Sequence, residues 1–262
     1  IYIIIIVIKY ILMNIKNIKS FIEFYKFLGI TDCISPVQRK KVKFKVDPKN
    51  NIKKMKESKK TEKKIESKLV AINNLKSLIL NLDCSLKDVA TNLVLYDGNY
   101  NANIMFIGEA PGANEDIYGK PFVGEAGKLL DKMLSFINLS RNNIYITNMV
   151  FWRPPGNRTP NEKEISVCLP YTKKHIKIIK PKLLVFVGSI AAKNLLDSKE
   201  GITKIRGKKH IYEDIENDLK IEARAIFHPA YLMRNPLEKK TMWDDLLEID
   251  EFINSNNILQ DE

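Results

Sequence analysis

A chain of 262 residues has room for one α/β domain of about 200 residues plus an appendage. Its 45% hydrophobic and 28% charged residues lie in the ordinary globular range, which excludes a fibrous or wholly disordered chain. The formal charge of +12 points to a polyanionic partner, but residues 1–66 hold 17 Lys and Arg against 6 Asp and Glu, while 67–262 hold 26 against 25. Any nucleic-acid contact made by the body of the protein must therefore rest on local patches.

The opening run IYIIIIVIKYIL is apolar but only 12 residues long, with Lys9 inside it. A membrane span needs roughly 20 residues, and the run lacks the small-residue cleavage site of a secretory signal. We expect the natural product to begin at Met13; a short interfacial anchor is the rival reading. Residues 14–30 place Ile15, Ile18, Phe21, Ile22, Phe24, Tyr25 and Leu28 at helical spacing, ended by Gly29. The first 37 residues thus read as an apolar start and an amphipathic helix. Residues 38–64 are dense in lysine and poor in large apolar residues, which reads as a disordered linker. A lysine-biased genome and a counter-ion-releasing DNA tether both account for that composition.

Residues 65–262 read as the folded domain. A helix over about 65–82 leads to IMFIG (104–108), a short apolar run suited to a strand buried on both faces. Similar runs recur at 143–150, 183–188 and 223–228, with helical stretches at about 124–138, 161–179, 189–197 and 237–254 between and after them. Alternating strands and helices predict a parallel sheet covered on both faces, an α/β domain. Ligands of such sheets bind beyond the carboxyl ends of the strands. The segments to inspect are therefore GEAPGANED, the stretch after Asn148, and HPAYLMR.

GEAPGANED carries two carboxylates, Glu109 and Glu115, among Gly108, Pro111 and Gly112. The glycines allow a close backbone approach, but no G-K-[ST] follows, so this is no phosphate loop; a purely structural turn also fits. Phe122 lies between glycines ahead of a helix, as core filler or as a surface for stacking a base. Asn148 ends a strand, where a buried amide must satisfy backbone or read a ligand. The loop after it is rich in Pro and Arg, including Arg153 and Arg158, and suits phosphate contact. His228 ends the last strand; His175 falls in a helix and His210 in a basic loop. A lone histidine in such a place is more often structural than catalytic. The three cysteines, Cys33, Cys84 and Cys168, form no C-x-x-C pair and no disulfide framework, which fits a reducing cytoplasm.

Together these segments, in this order, resemble the uracil-DNA glycosylases of the iron–sulfur type, family 4. The shared pattern is GEAPG-x-x-ED, G-x-PFVG-x-AG-x-LLD, TN-x(5)-RPPGNR-P, C-x-P, RG and HPAYL-x-R, over about residues 75–250. The resemblance implies a three-layer α/β/α fold with a central four-stranded parallel sheet. It also implies a monomeric enzyme that removes uracil from single- or double-stranded DNA. Relatives of this domain are sometimes labelled phage-type DNA polymerase, but the chain has no polymerase carboxylate motif. A catalytically idle DNA-binding module linked to replication, or a glycosylase for another deaminated base, is the alternative.

Carried over residue by residue, the resemblance implies that Phe122 stacks on a flipped uracil and Asn148 hydrogen-bonds its Watson–Crick edge. Glu109 and the backbone at Ala110 would line the pocket and position water, with Glu115 a second candidate. His228 would face uracil O2, Leu232 would wedge the duplex, and Arg153, Arg158, Arg206 and Arg234 would contact phosphates. Some related glycosylases carry a water-activating Asp where this chain has Ala110, which moves the emphasis to stabilising the leaving base. Another relative traps uracil covalently through a His in a basic loop; the matching loop here has none, so turnover is expected. Family 4 holds a [4Fe–4S] cluster with four cysteines; the matching places here read Asn81, Cys84, Trp152 and Cys168. Cluster ligation ordinarily needs four thiolates, so no cluster and no other cofactor is expected.

Overall fold

The short apolar runs pair side by side because their flat, all-buried faces can be covered by helices on both sides. The computed structural model describes residues 18–27 and 54–259. The apolar opening run, the start at Met13, Cys33 and residues 38–53 of the lysine-rich stretch lie outside the described residues.

Six strands form one sheet: β1 (Asp97–Gly98), β2 (Ile104–Gly108), β3 (Tyr145–Asn148), β4 (Leu183–Val187), β5 (His210–Asp214) and β6 (Leu219–Ile226). Their order is β1-β3-β2-β4-β6-β5. The four inner strands are parallel, as the resemblance implied. Two edge strands that sequence reading missed extend them, both antiparallel. One of these, β5, begins at His210, which had been read as part of a basic loop.

The described helices are α1 (Ile18–Phe27), α2 (Lys54–Leu80), α3 (Ala113–Tyr118), α4 (Glu125–Ser135), α5 (Glu162–Ile179), α6 (Ser189–Leu196), α7 (Ile202–Ile205), α8 (Pro229–Arg234) and α9 (Lys239–Ser255). The helix α2 starts at Lys54, well inside the segment read as a disordered linker; Lys and Glu are good helix formers, and apolar content was the wrong criterion there. Among the described residues no helix is long and apolar enough to cross a membrane.

Strand alternation sorts side chains into two cores. Met105, Ile107, Leu184 and Phe186 pack with α2, α5 and α6. Ile104, Phe106, Val185 and Val187 pack with α4 and α9. The N-terminal helix belongs to this second layer: Phe24 is fully buried, stacked on Trp243 at 4.2 Å and edge-on to Phe136 at 5.4 Å.

The connections place a crevice at the carboxyl end of β2. From β2 the chain passes through α3 and α4 to β3 on one side, then through α5 to β4 on the other. The strand order reverses at this point, which is where open α/β sheets bind ligands.

Candidate active site

A cleft of about 420 Å³ opens at that switch point. Glu109, Ala110, Glu115, Phe122, Asn148, Arg158, His228 and Arg234 all line it, so eight residues singled out from four separate segments meet in one place. Arg153, Arg206 and Leu232 do not.

Gly108 closes the floor. A Cβ at this position would overlap both Asn148 Oδ1 and the Phe122 ring. Its partner across the ladder is Asn148, so the absent side chain is what lets the amide and the ring meet at the strand ends. Asn148 is buried, and its Oδ1 has no hydrogen-bond partner. An orphaned acceptor of this kind costs about 1–3 kcal/mol, which a ligand donor would recover.

Phe122 sits in the left-handed region at φ +55°, a conformation that costs about 1–3 kcal/mol in a non-glycine residue and clusters at functional sites. Its ring lies 5.8 Å from that of His228. Backbone partners hold this loop. Glu115 accepts from the N–H groups of Gly112 at 3.1 Å, Val123 at 2.8 Å and Gly124 at 2.7 Å, tying the start of α3 to the start of α4. That corrects its reading as a water-handling group: both its oxygens are engaged by backbone. Sequence reading missed Arg141, whose guanidinium donates to the carbonyls of Pro121 and Phe122.

His228 caps α8. Its Nδ1 accepts from the Ala230 N–H at 3.2 Å, so the neutral ring carries its proton on Nε2. Burial, and secondarily the Arg234 cation, depress its pKa to about 4, while the Glu115 charge opposes. The imidazole is therefore neutral near pH 7, a donor without a charge. Burial raises the Glu109 carboxyl above its ordinary value, and the hydrogen-bonded Thr159 hydroxyl pulls the other way. Thr159 and Tyr231 also line the cleft; Thr159 in its loop carries no sequence signal, and Tyr231 within HPAYLMR gives no sign of which way it faces.

Three assignments need correction. Arg206 forms a fork on the buried Asp245, with Nε to Oδ2 at 2.7 Å, and lies over the Phe227 ring. It braces α7 against α9 through Nε and Nη2, is largely buried, and lies outside the cleft. Leu232 is 0% exposed and belongs to the α4–α9 core, so it cannot enter a duplex. In α8 and the turn that follows it, Met233 is 48% and Leu237 92% exposed. Arg158 lines the cleft but forks onto Glu164 at 2.6 and 2.9 Å, where Glu164 also completes the capping box of α5 with Asn161. Arg153 bonds Asn157 at 2.7 Å. Arg234 is thus the cleft guanidinium without a carboxylate partner among the described residues.

His175 lies away from the cleft, fully buried between Tyr145 and Phe151, with both ring nitrogens unpaired and its pKa depressed to about 3 by burial. Cys84 and Cys168 meet in the core on the same side of the sheet. The two thiols interact, and that contact holds Cys84 below the ordinary thiol range while it and burial raise Cys168. Trp152 is buried in this core against Phe151. Among the described residues no group of three or more His, Cys, Asp or Glu is placed to hold a metal ion. Two thiols, an indole and an exposed Asn81 do not fit a four-thiolate cluster.

The family model of the uracil DNA glycosylase superfamily matches residues 95–247, which contain every cleft residue named above. A type-4 uracil-DNA glycosylase of Sulfurisphaera tokodaii is 42% identical over 174 residues, 64% of this chain and 78% of its own length. Those of Saccharolobus solfataricus and Pyrobaculum aerophilum are 41% and 38% identical, over 68% and 67% of this chain and 84% and 91% of theirs. The chain belongs to the uracil-DNA glycosylase superfamily.

Proposed function

We infer that this protein is a monofunctional DNA repair glycosylase that hydrolyses the bond between uracil and deoxyribose, leaving an abasic site. The observation that carries the reading is the buried Asn148, which lines the cleft with its Oδ1 unpartnered, together with Phe122 and a neutral His228.

Each feature has a use in that reaction. Uracil extruded from the stack lies against the Phe122 ring, and its Watson–Crick edge meets Asn148. The Asn148 Oδ1 accepts from N3–H and its Nδ2 donates to O4; cytosine presents the reversed pattern and leaves both groups opposed. As the C1′–N1 bond breaks, its electron pair moves onto the base and a positive charge develops on the sugar. The His228 Nε2–H donates to O2, where negative charge grows, so it binds the transition state better than the ground state. Because the ring is neutral, it stabilises the anion through its N–H dipole and not through a full positive charge. Water adds to C1′ and its proton passes to the departing uracil anion; Glu109, its carboxyl raised by burial and flanked by Thr159, orients that water. With Ala110 in place of an acid, departure of the base is the step that the site favours.

DNA is held through Arg234, and the gap left by the base is filled from the rim by Met233 and Leu237 in place of the buried Leu232. Either single- or double-stranded DNA is a substrate on this reading, and the protein acts as a cytoplasmic monomer without a cofactor. The test is an assay on labelled oligonucleotides carrying uracil, hypoxanthine or thymine, followed by alkaline cleavage of abasic sites. Scission at uracil is the expected result. Scission only at hypoxanthine would move the substrate, and none at all would sink the enzyme reading.

A further inference from the structure

We propose that Arg141 is a positioning residue for base capture, holding the Phe122 ring in place through the backbone; the proposal rests on the glycosylase reading above. Arg141 lies between α4 and β3, outside the cleft lining. Its guanidinium has five N–H groups, and all five are engaged. Nε donates to Asp131 Oδ1 at 2.9 Å and Nη2 to Asp131 Oδ2 at 3.2 Å. Nη1 donates to Asp97 Oδ2 at 3.3 Å and to the Pro121 carbonyl at 3.1 Å. Nη2 also donates to the Phe122 carbonyl at 2.7 Å.

Two consequences follow. First, no donor remains for a phosphate, so this arginine is no DNA contact despite lying beside the site. Second, the two carbonyls it holds belong to the peptides on either side of the strained Phe122 Cα. A backbone at φ +55° relaxes unless its surroundings determine it. On the other side, a Cβ at Gly127 would overlap the Phe122 backbone, so α4 presses against the same peptide unit. Glu115 holds the next two N–H groups, those of Val123 and Gly124. Arg141 therefore grips the carbonyls before the turn and Glu115 the amides after it. Asp131 and Asp97 fix the orientation of the planar guanidinium, whose five donors a lysine ammonium with three could not replace.

A double-mutant cycle tests this. Single-turnover excision from a uracil-containing oligonucleotide and inhibition by free uracil are measured for wild type, Arg141→Ala, Phe122→Ala and the double variant, well below their thermal midpoints. Arg141→Ala is expected to slow excision and weaken uracil inhibition by about ten- to hundredfold each, the range of strongly coupled neighbours. In the Phe122→Ala background the same change should cost under about twofold, because its effect has already been removed. Arg141→Lys should recover only part of the loss, and Asp131→Asn should give a smaller loss of the same kind. Full additivity, or an Arg141→Ala variant with wild-type uracil inhibition, would overturn the proposal. If Arg141→Ala does not fold, the Arg141→Lys and Asp131→Asn cycles with Phe122→Ala decide it by the same criterion. An active wild type with an additive cycle refutes the positioning role alone, whereas an inactive wild type refutes the glycosylase reading beneath it.

Discussion

Adding one methyl group at Gly108 probes the geometry of the cleft more sharply than removing any side chain. The methyl of Gly108→Ala would overlap the Asn148 amide oxygen and the Phe122 ring together, and both are buried. The strand cannot slide to make room, since β2 is laddered to β3 and β4 on its two sides. Asn148 is fixed on the neighbouring strand, so the Phe122 ring must swing away. Loss of base stacking costs about 1–3 kcal/mol, and displacing a positioned group by about 1 Å can cost 10²-fold in rate. Excision should therefore fall by about 10²-fold or more. Overpacking a core costs about 1–3 kcal/mol, part of it offset by the smaller backbone entropy of alanine. That leaves the variant about 1–2 kcal/mol less stable, a fall in thermal midpoint of a few degrees for a domain this size. Single-turnover excision at about 25 °C and a thermal melt separate the two effects. A variant that melts like wild type and excises uracil within about threefold of it would refute the described packing of Phe122 against Asn148.

Removal of the His228 donor in His228→Ala should lower excision by about 10²–10³-fold, the usual cost of one such donor; full activity would refute its role. The pKa values of His175 and His228 are held at about 3 and about 4, below the ordinary 6.5, so the unfolded chain binds protons that the native state refuses. The contribution of these two rings to stability should therefore be complete above about pH 7 and fall as the pH drops through 6.5 towards 4, with His175→Phe losing part of that slope. An unchanged slope in that variant would contradict the buried neutral ring. Arg206→Ala leaves the buried Asp245 unpaired and should cost about 3–5 kcal/mol of stability, while Arg234→Ala should leave the melt unchanged and lower DNA affinity and its salt slope. The reverse pattern would restore Arg206 as a phosphate contact. Protein prepared anaerobically should be colourless and free of iron; about four irons per chain would overturn the reading of the Cys84–Cys168 core.

The inner sheet was legible because four apolar runs of strand length stand between helical patterns, and a strand buried on both faces has no other appearance. The edge strands were not: Asp97–Gly98 is too short to show a period, and the alternation in His210–Asp214 is masked by the lysines before it. Motif positions located the cleft, yet they could not tell which way a side chain faces. Leu232 and Arg206 occupy the right segments but turn inward, Leu232 because α8 lays it on the α4–α9 core, and Arg206 because Asp245 lies within reach. Glu115 was read as chemistry since a carboxylate near a glycine loop has two uses, and only the three N–H groups around it decide between them. The left-handed backbone of Phe122 left no trace in sequence at all, and neither did the arginine that holds it. The helix at 18–27 also proved part of the domain through Phe24, so deleting residues 1–64 would strip a buried ring from Trp243 as well as removing lysines.

The most direct test of the account is a comparison of excision at uracil and at cytosine in otherwise identical oligonucleotides, for wild type and Asn148→Ala. Abasic sites are expected at uracil alone, with the Asn148→Ala variant folded and slower by about 10²-fold or more. Undiminished excision by that variant, or none by wild type, would contradict the claim that the unpartnered Asn148 amide beside Phe122 and His228 is the reader of the flipped base.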